Sequence, residues 1–202
     1  MRASEPFVLG LTGGIGCGKS EAARHLRALG AAHVDADAIS RALTAPGGEA
    51  LGAIRREFGG KVFAPDGTLD RRALAETVFA DAGAKRRLEE IIHPMVWART
   101  EEAIAAAEAR VAVLDVPLLF ESGMDALCGE VWTMSADEAT QIARVRERDG
   151  LTTAQARARI ANQMPMAERC ARADRVIDSA RPIEETRAEL SRLYARLLER
   201  IE

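Results

Sequence analysis

The sequence predicts an α/β fold: a doubly wound parallel sheet of about five strands in a three-layer sandwich with helices on both faces. Three observations predict it. Short apolar runs recur along the chain, separated by longer amphipathic segments. One run, Val111–Val116, is apolar almost throughout, as a central strand buried on both faces should be. Between the first run and the first helical segment lies a glycine-rich turn, Gly13-Gly14-Ile15-Gly16-Cys17-Gly18-Lys19-Ser20. Strand, glycine-rich turn and helix in that order is the unit that binds phosphate in such sheets.

The strands are expected at Phe7–Leu11, Ala32–Asp35, Val111–Val116, Glu130–Met134 and Arg175–Ile177. Helices are expected over 20–29, 38–44, 48–58, 70–80, 83–92, 94–109, 137–149, 152–163 and 182–200. Pro94 is read as the first helical residue after a break, with His93 as its N-cap. Pro65-Asp66-Gly67 is a turn signal. About 75 residues separate the second and third strands, far more than one crossover needs. We therefore expect one domain with core segments of about 1–36, 110–136 and 173–202. A helical lobe fills about 37–109, and an arginine-rich excursion fills about 137–172. Ligands are expected at the carboxyl ends of the strands.

Composition narrows the function classes. Apolar residues make up 48% of the chain, enough for a substantial core, and the net charge of −3 leaves no electrostatic footprint for nucleic acid. Only three lysines occur, Lys19, Lys61 and Lys85, so a lysine inside the glycine-rich turn stands out from its background. Three widely spaced cysteines without a Cys-x-x-Cys pair argue against a disulfide framework and for a reducing compartment. No apolar run reaches membrane-spanning length and the first residues lack a signal-peptide core, so a cytoplasmic protein without membrane or nucleic-acid partners is expected, as a monomer.

The turn fits Gly-x-x-x-x-Gly-Lys-Ser, the P-loop. Its glycines let the amides of Gly14, Ile15, Gly16, Cys17 and Gly18 approach phosphate oxygens at a helix N-terminus. Lys19 is expected to reach the outer phosphates and Ser20 to offer a hydroxyl to Mg²⁺, with Glu21 next to them also expected at the ATP site. Asp115, ending the third strand, stands where a second Mg²⁺ ligand would stand. Asp35 and Asp37 follow the second strand; one of them could orient an acceptor hydroxyl and take its proton. Helix capping by Asp37 is the competing reading. His93 could meet an anion or a ribose, or only cap. Arg144 and Arg148 share a helix face and could close over phosphates; the remaining arginines of the excursion read as a solvated surface. Cys17 precedes a helix N-terminus, where a thiol pKa tends to fall, so its oxidation could obstruct phosphate binding. His25 and His33 show no partner pattern.

Taken in order, these segments resemble the dephospho-CoA kinase family over nearly the whole chain. The resemblance rests on Leu11–Ser20, Asp35-Ala36-Asp37 with Arg41, Asp66–Leu74, His93-Pro94, Pro117–Glu121, the arginines of 144–148, Gln163 and Val176-Ile177-Asp178. It implies a P-loop nucleotide-kinase-like core, a CoA-binding helical lobe and a mobile lid, with ATP and Mg²⁺ required and dephospho-CoA as acceptor. It implies Asp37 as base on the ribose 3′-hydroxyl, Lys19 as phosphate clamp and Arg144 on the lid near the phosphates. It further implies Thr12, Arg71, His93, Leu118 and Glu121 near the acceptor. Glu21 follows Ser20 where the family often has a small hydroxyl residue, and Ser179-Ala180 stand where Asn and a nearby Gly are common. These departures leave the adenine contacts around 177–182 open. A kinase for a nucleoside monophosphate or another small hydroxyl acceptor is the nearest alternative. A GTP switch lacks its Asn-Lys-x-Asp motif here, and a non-catalytic sensor would not need Lys19, Ser20, Asp37 and Asp115 together.

Overall fold

Five short strands hydrogen-bond into one sheet. They are β1 (Phe7–Gly13), β2 (Ala32–Asp35), β3 (Val111–Asp115), β4 (Glu130–Ser135) and β5 (Arg175–Asp178), in the order β2-β3-β1-β4-β5. The computed structural model describes residues 5–201. β1 runs parallel to both β3 and β4, and β4 parallel to β5. Every residue of β3 is buried, as its unbroken apolar run requires. The register pairs Leu11 with Asp115 and Gly13 with Met134, so the turn after β1 emerges at the same edge as Asp115 and the end of β4.

The described residues divide into two compact units, one of residues 5–34 and 104–201, the other of residues 35–103. In the first, α1 (Lys19–Ala28) and α9 (Ile183–Arg200) cover one face of the sheet. Ala22, Ala23 and Leu26 of α1 and Leu190, Tyr194 and Leu197 of α9 bury against Leu9, Leu11, Val113, Trp132 and Ile177. A β-carbon at Gly10 would come within 2.7 Å of Cys128 Sγ and 3.0 Å of Leu119, so the segment after β3 presses directly on β1 there. The excursion folds as α6 (Glu138–Asp149), α7 (Thr153–Ala161) and α8 (Met166–Arg172). Ile142, Val145 and Ala156 form its own small core. The seven residues of α8 are too few to carry a helical period, so the sequence reading passed over this element.

The second unit carries α2 (Ala36–Leu43), α3 (Leu51–Phe58), α4 (Arg71–Ala80) and most of α5 (Ala82–Ala105). Asp35 caps α2 by accepting from the amide of Ala38, and Asp70 caps α4 by accepting from Arg72 and Ala73. The turn at Pro65-Asp66-Gly67 forms as expected, with the amide and hydroxyl of Thr68 donating to Asp66 Oδ1.

The expected break at His93-Pro94 does not occur. α5 runs continuously from Ala82 to Ala105 with Pro94 inside it, so His93 caps nothing. Pro94 is exposed, while Val96 and Thr100 are buried on the other side of the helix and Ala84 near its start; burial on either side of the proline holds the helix together through the missing hydrogen bond. A proline in a helix interior costs about 3 kcal/mol relative to alanine. Pro94→Ala is therefore expected to stabilise the protein by about 1–3 kcal/mol, read as a higher urea midpoint at unchanged m-value. A lower midpoint would show that the proline is accommodated without cost.

Candidate active site

Backbone conformation builds the phosphate turn before any side chain contributes. Gly16 and Gly18 adopt the left-handed region at φ 79° and 75°, which a β-carbon resists. At Gly16 a β-carbon would also stand 2.9 Å from the Gln141 carbonyl oxygen. Gly18 begins α1 with no side-chain cap. The first amides of α1 are thus left for an anion, at the positive end of the helix. Ser20 is exposed in that first turn. Glu21, the residue after it, pairs with Arg187 of α9 and with Arg24.

Lys19, Asp115 and His33 form one chain of contacts. Lys19 Nζ pairs with Asp115 Oδ1, and His33 Nε2 lies 3.0 Å from Asp115 Oδ2. Burial works to raise the Asp115 carboxyl, but the hydrogen bond from His33 and the Lys19 charge hold it below the usual carboxylate range. His33 therefore has a partner that its sequence surroundings did not announce. Strand order explains this: β2 lies beside β3, which sets His33 next to Asp115 across 82 residues of sequence. His25 too has a partner, Ser191 Oγ at 2.8 Å. Ser20 and Asp115 offer hard oxygens of the kind Mg²⁺ takes. Among the described residues no three His, Cys, Asp or Glu side chains gather into an all-protein cage. One or two protein ligands completed by substrate phosphates is the usual Mg²⁺ arrangement, and this pair fits it.

Arg144 bridges the P-loop and the segment after β5. Its guanidinium donates to Gly16 O at 3.2 Å, Ser179 Oγ at 3.0 Å and Ser179 O at 2.6 Å. Together with Gly18, Ala22, Arg187 and Leu190 it bounds a cavity of about 250 Å³ beside the turn. Arg148 does not join it; its guanidinium is held by the neighbouring Asp149 at 2.7 Å. Gln163 Oε1 accepts from the Ile15 amide at 2.8 Å, pinning the α7–α8 connection to the P-loop.

Two expectations are overturned. Burial pushes the Cys17 thiol up to about 11, so the helix N-terminus does not activate it. The arginines of the excursion are not all solvated: Arg169 is fully buried. It contacts Thr12, Pro117 and Glu121, three residues at the strand ends that only the tertiary fold brings together. Leu118 stands exposed beside them.

In the second unit, Asp35 is committed twice, as cap to Ala38 N at 2.9 Å and to Arg41 at 3.5 Å. Asp37 is exposed in the first turn of α2, and among the described residues its carboxylate has no hydrogen-bond or ion-pair partner. The capping reading of Asp37 is thereby corrected, because Asp35 does that work. Arg71 and His93 line a common groove of about 380 Å³ with Ser40, Thr44, Phe79 and Ile92. Arg71 donates to Thr44 Oγ1 at 2.9 Å, and the Phe79 ring is 87% exposed.

Two measurements check this electrostatic picture. Because the folded Asp115 pKa is depressed, its contribution to stability is complete above the unfolded value of about 3.9 and is lost as pH falls through the folded value. Asp115→Asn is thus expected to flatten the loss of stability below about pH 4, followed by urea unfolding across pH. Cys17 is expected to stay unalkylated by iodoacetamide at about pH 8 in the native protein; labelling at a rate typical of a free thiol would contradict its burial.

The chain is similar to known proteins along most of its length. The family model described as dephospho-CoA kinase matches residues 7–185. A dephospho-CoA kinase of Anaeromyxobacter dehalogenans is 49% identical over 193 residues, covering 94% of this chain and 92% of that protein. A crystal structure from Thermus thermophilus superposes with a TM-score of 0.83 at 34% identity, over 96% of this chain and 99% of that one. The dephospho-CoA kinase of Campylobacter jejuni superposes with a TM-score of 0.70 at 26% identity, over 94% and 96%. The family match begins at β1 and runs into α9, through the P-loop, the Lys19–Asp115 pair and the helical unit alike, and the chain belongs to the dephospho-CoA kinase family.

Proposed function

We propose that this protein transfers the γ-phosphoryl group of ATP to the ribose 3′-hydroxyl of dephospho-CoA, giving coenzyme A and ADP, the last step of coenzyme A biosynthesis. The observation that carries the reading is the uncapped start of α1 behind the P-loop, with Leu118 and Glu121 open to solvent at the neighbouring strand ends over the buried Thr12, which supports them from below rather than meeting the acceptor itself. The first is a cradle for phosphates; the second is a surface for an acceptor.

ATP lies with its phosphates on the P-loop; the Ile15 amide is taken by Gln163 and the Cys17 amide by Gly14 O, so the remaining amides of the turn and the first ones of α1 meet the phosphates. Lys19 leaves Asp115 for the β- and γ-phosphates, since it has only one ammonium to share between them. Ser20 and Asp115 would hold Mg²⁺, which neutralises phosphate charge when bound. Arg144 lies over the nucleotide, and the cavity beside Gly18 takes the base and ribose. Residues 137–172 act as the lid, with α8 at its base anchored to the strand ends by the buried Arg169. Arg148, tied to Asp149, contributes only if it exchanges that partner for a phosphate.

Residues 37–109 serve as the acceptor lobe. The groove of Arg71 and His93 has apolar walls for the pantetheine arm and one guanidinium for a phosphate of the acceptor. Asp37, with its carboxylate unengaged, orients the 3′-hydroxyl and receives its proton; Asp35 keeps α2 in place next to it. Transfer is in line, and catalysis is mainly positioning plus electrostatics. The cytoplasm is the expected site of action, and among the described residues no helix is long and apolar enough to cross a membrane.

The test is product analysis by mass spectrometry with MgATP and dephospho-CoA, beside AMP and a control without acceptor. Coenzyme A and ADP are expected only with dephospho-CoA; ADP formed only with AMP would move the protein to the nucleotide kinases. Lys19→Ala and Asp37→Ala are each expected to lower kcat at least about a hundredfold. A mild loss for Asp37→Ala would remove it as the base.

A further inference from the structure

Arg169 is the second largest fully buried side chain of the described residues and the only charged one among them. It projects from α8 to the back of the strand ends. Its guanidinium makes three bonds: to Thr12 Oγ1 at 3.0 Å, to Pro117 O at 3.0 Å and to Glu121 Oε1 at 2.9 Å. Its Nε is buried with no hydrogen-bond partner. Stability alone does not explain such a residue. A cation taken fully out of water, with one donor unmet and one half-exposed counter-ion, is less favourable than an apolar side chain of similar volume. The Glu121 side chain is 29% exposed, so the pair does not even exclude water from its acid.

What the guanidinium touches gives the reason. Thr12 is the last residue but one of β1, just before the P-loop, Pro117 precedes the exposed Leu118, and Glu121 ends the Pro117–Glu121 segment after β3. Leu118 and Glu121 are the strand-end positions of the first unit assigned above to the acceptor. Thr12 Oγ1 also donates to Pro117 O at 3.1 Å, so one planar fork and one hydroxyl close a loop of contacts. Glu121 Oε1 is shared by Arg169 and the Met164 amide at 3.4 Å, which leaves Oε2 outside these contacts. A planar guanidinium can hold three oxygens on separate segments at fixed angles; a lysine ammonium cannot.

We propose that Arg169 is a positioning residue for the acceptor subsite: from behind, together with the buried Thr12, it sets the Pro117–Leu118 peptide and the Glu121 carboxylate in one arrangement against the bound acceptor. It touches neither substrate. The proposal rests on the acceptor reading of Leu118 and Glu121 given above.

The test uses Arg169→Lys and Arg169→Met in the full chain, with thermal midpoints, steady-state kinetics and calorimetric titration of ATP and of dephospho-CoA. Arg169→Lys is expected to raise KM and Kd for dephospho-CoA about tenfold or more, the consequence of losing one charged buried hydrogen bond. Its Kd for ATP is expected to stay within about twofold of wild type. Acceptor affinity equal to wild type in a folded Arg169→Lys protein overturns the proposal, as does an equal loss for both substrates. Glu121→Gln provides a second reading. Combined with Arg169→Lys it should add little to the acceptor defect, since both act at one carboxylate; full additivity overturns the proposal. Should neither arginine variant fold, Glu121→Gln decides alone: weakened acceptor binding supports the proposal, and unchanged binding assigns Arg169 to the core only. Absence of any dephospho-CoA turnover in the wild-type protein is a separate result, which removes the functional reading before the variants are compared.

Discussion

The parallel pairing of β1 between β3 and β4 is the constraint on which the first unit depends. Register sets Leu11 opposite Asp115 and Gly13 opposite Met134. With that register, the P-loop, the Asp115 carboxylate, the Pro117–Glu121 segment and the end of β4 all leave the sheet at one edge. A one-residue slip would reverse the facing of a whole strand. The glycines of β1 allow this closeness. Gly10 admits the segment after β3, and Gly13 lies so near β4 that a β-carbon would stand 2.9 Å from Met134 O.

Polar groups buried at this edge follow from the same geometry. Strand ends converge with carbonyls and carboxylates that no ladder partner satisfies, and cations from other elements answer them. Lys19 answers Asp115, Arg144 answers Gly16 and Ser179, and Arg169 answers Thr12, Pro117 and Glu121. In each case the partner segments are joined by the sheet and far apart along the chain. Cys17 shows the converse. It occupies a position that would activate a thiol at a water-accessible helix end, yet its burial beneath the turn outweighs the local field.

The helical unit is organised by local chemistry instead. Asp35 and Asp70 cap their own helices, and Asp66 folds its own turn. Because Asp35 takes the cap, Asp37 keeps its carboxylate. Of two aspartates separated by one residue, one is thereby engaged and the other is not, set by which side chain reaches the Ala38 amide.

Much of this was legible in the sequence wherever the cause is local. The five strands and the P-loop could be read directly, since apolar runs and glycine spacing are properties of contiguous residues. So could the turn at Asp66 and most helices. The continuity of α5 could not, because proline predicts a break and only packing of Ala84, Val96 and Thr100 overrules it. Nor could α8, too short for a period, or the roles of His33 and Arg169. Their partners lie 82 and 157 residues away in Asp115 and Thr12, so no local pattern marks them. The sequence by itself determined the fold class, the family and the glycine-rich turn that leads into α1, because short-range spacing encodes them. Tertiary structure alone decided which charges are buried together, because burial and pairing depend on which strands become neighbours.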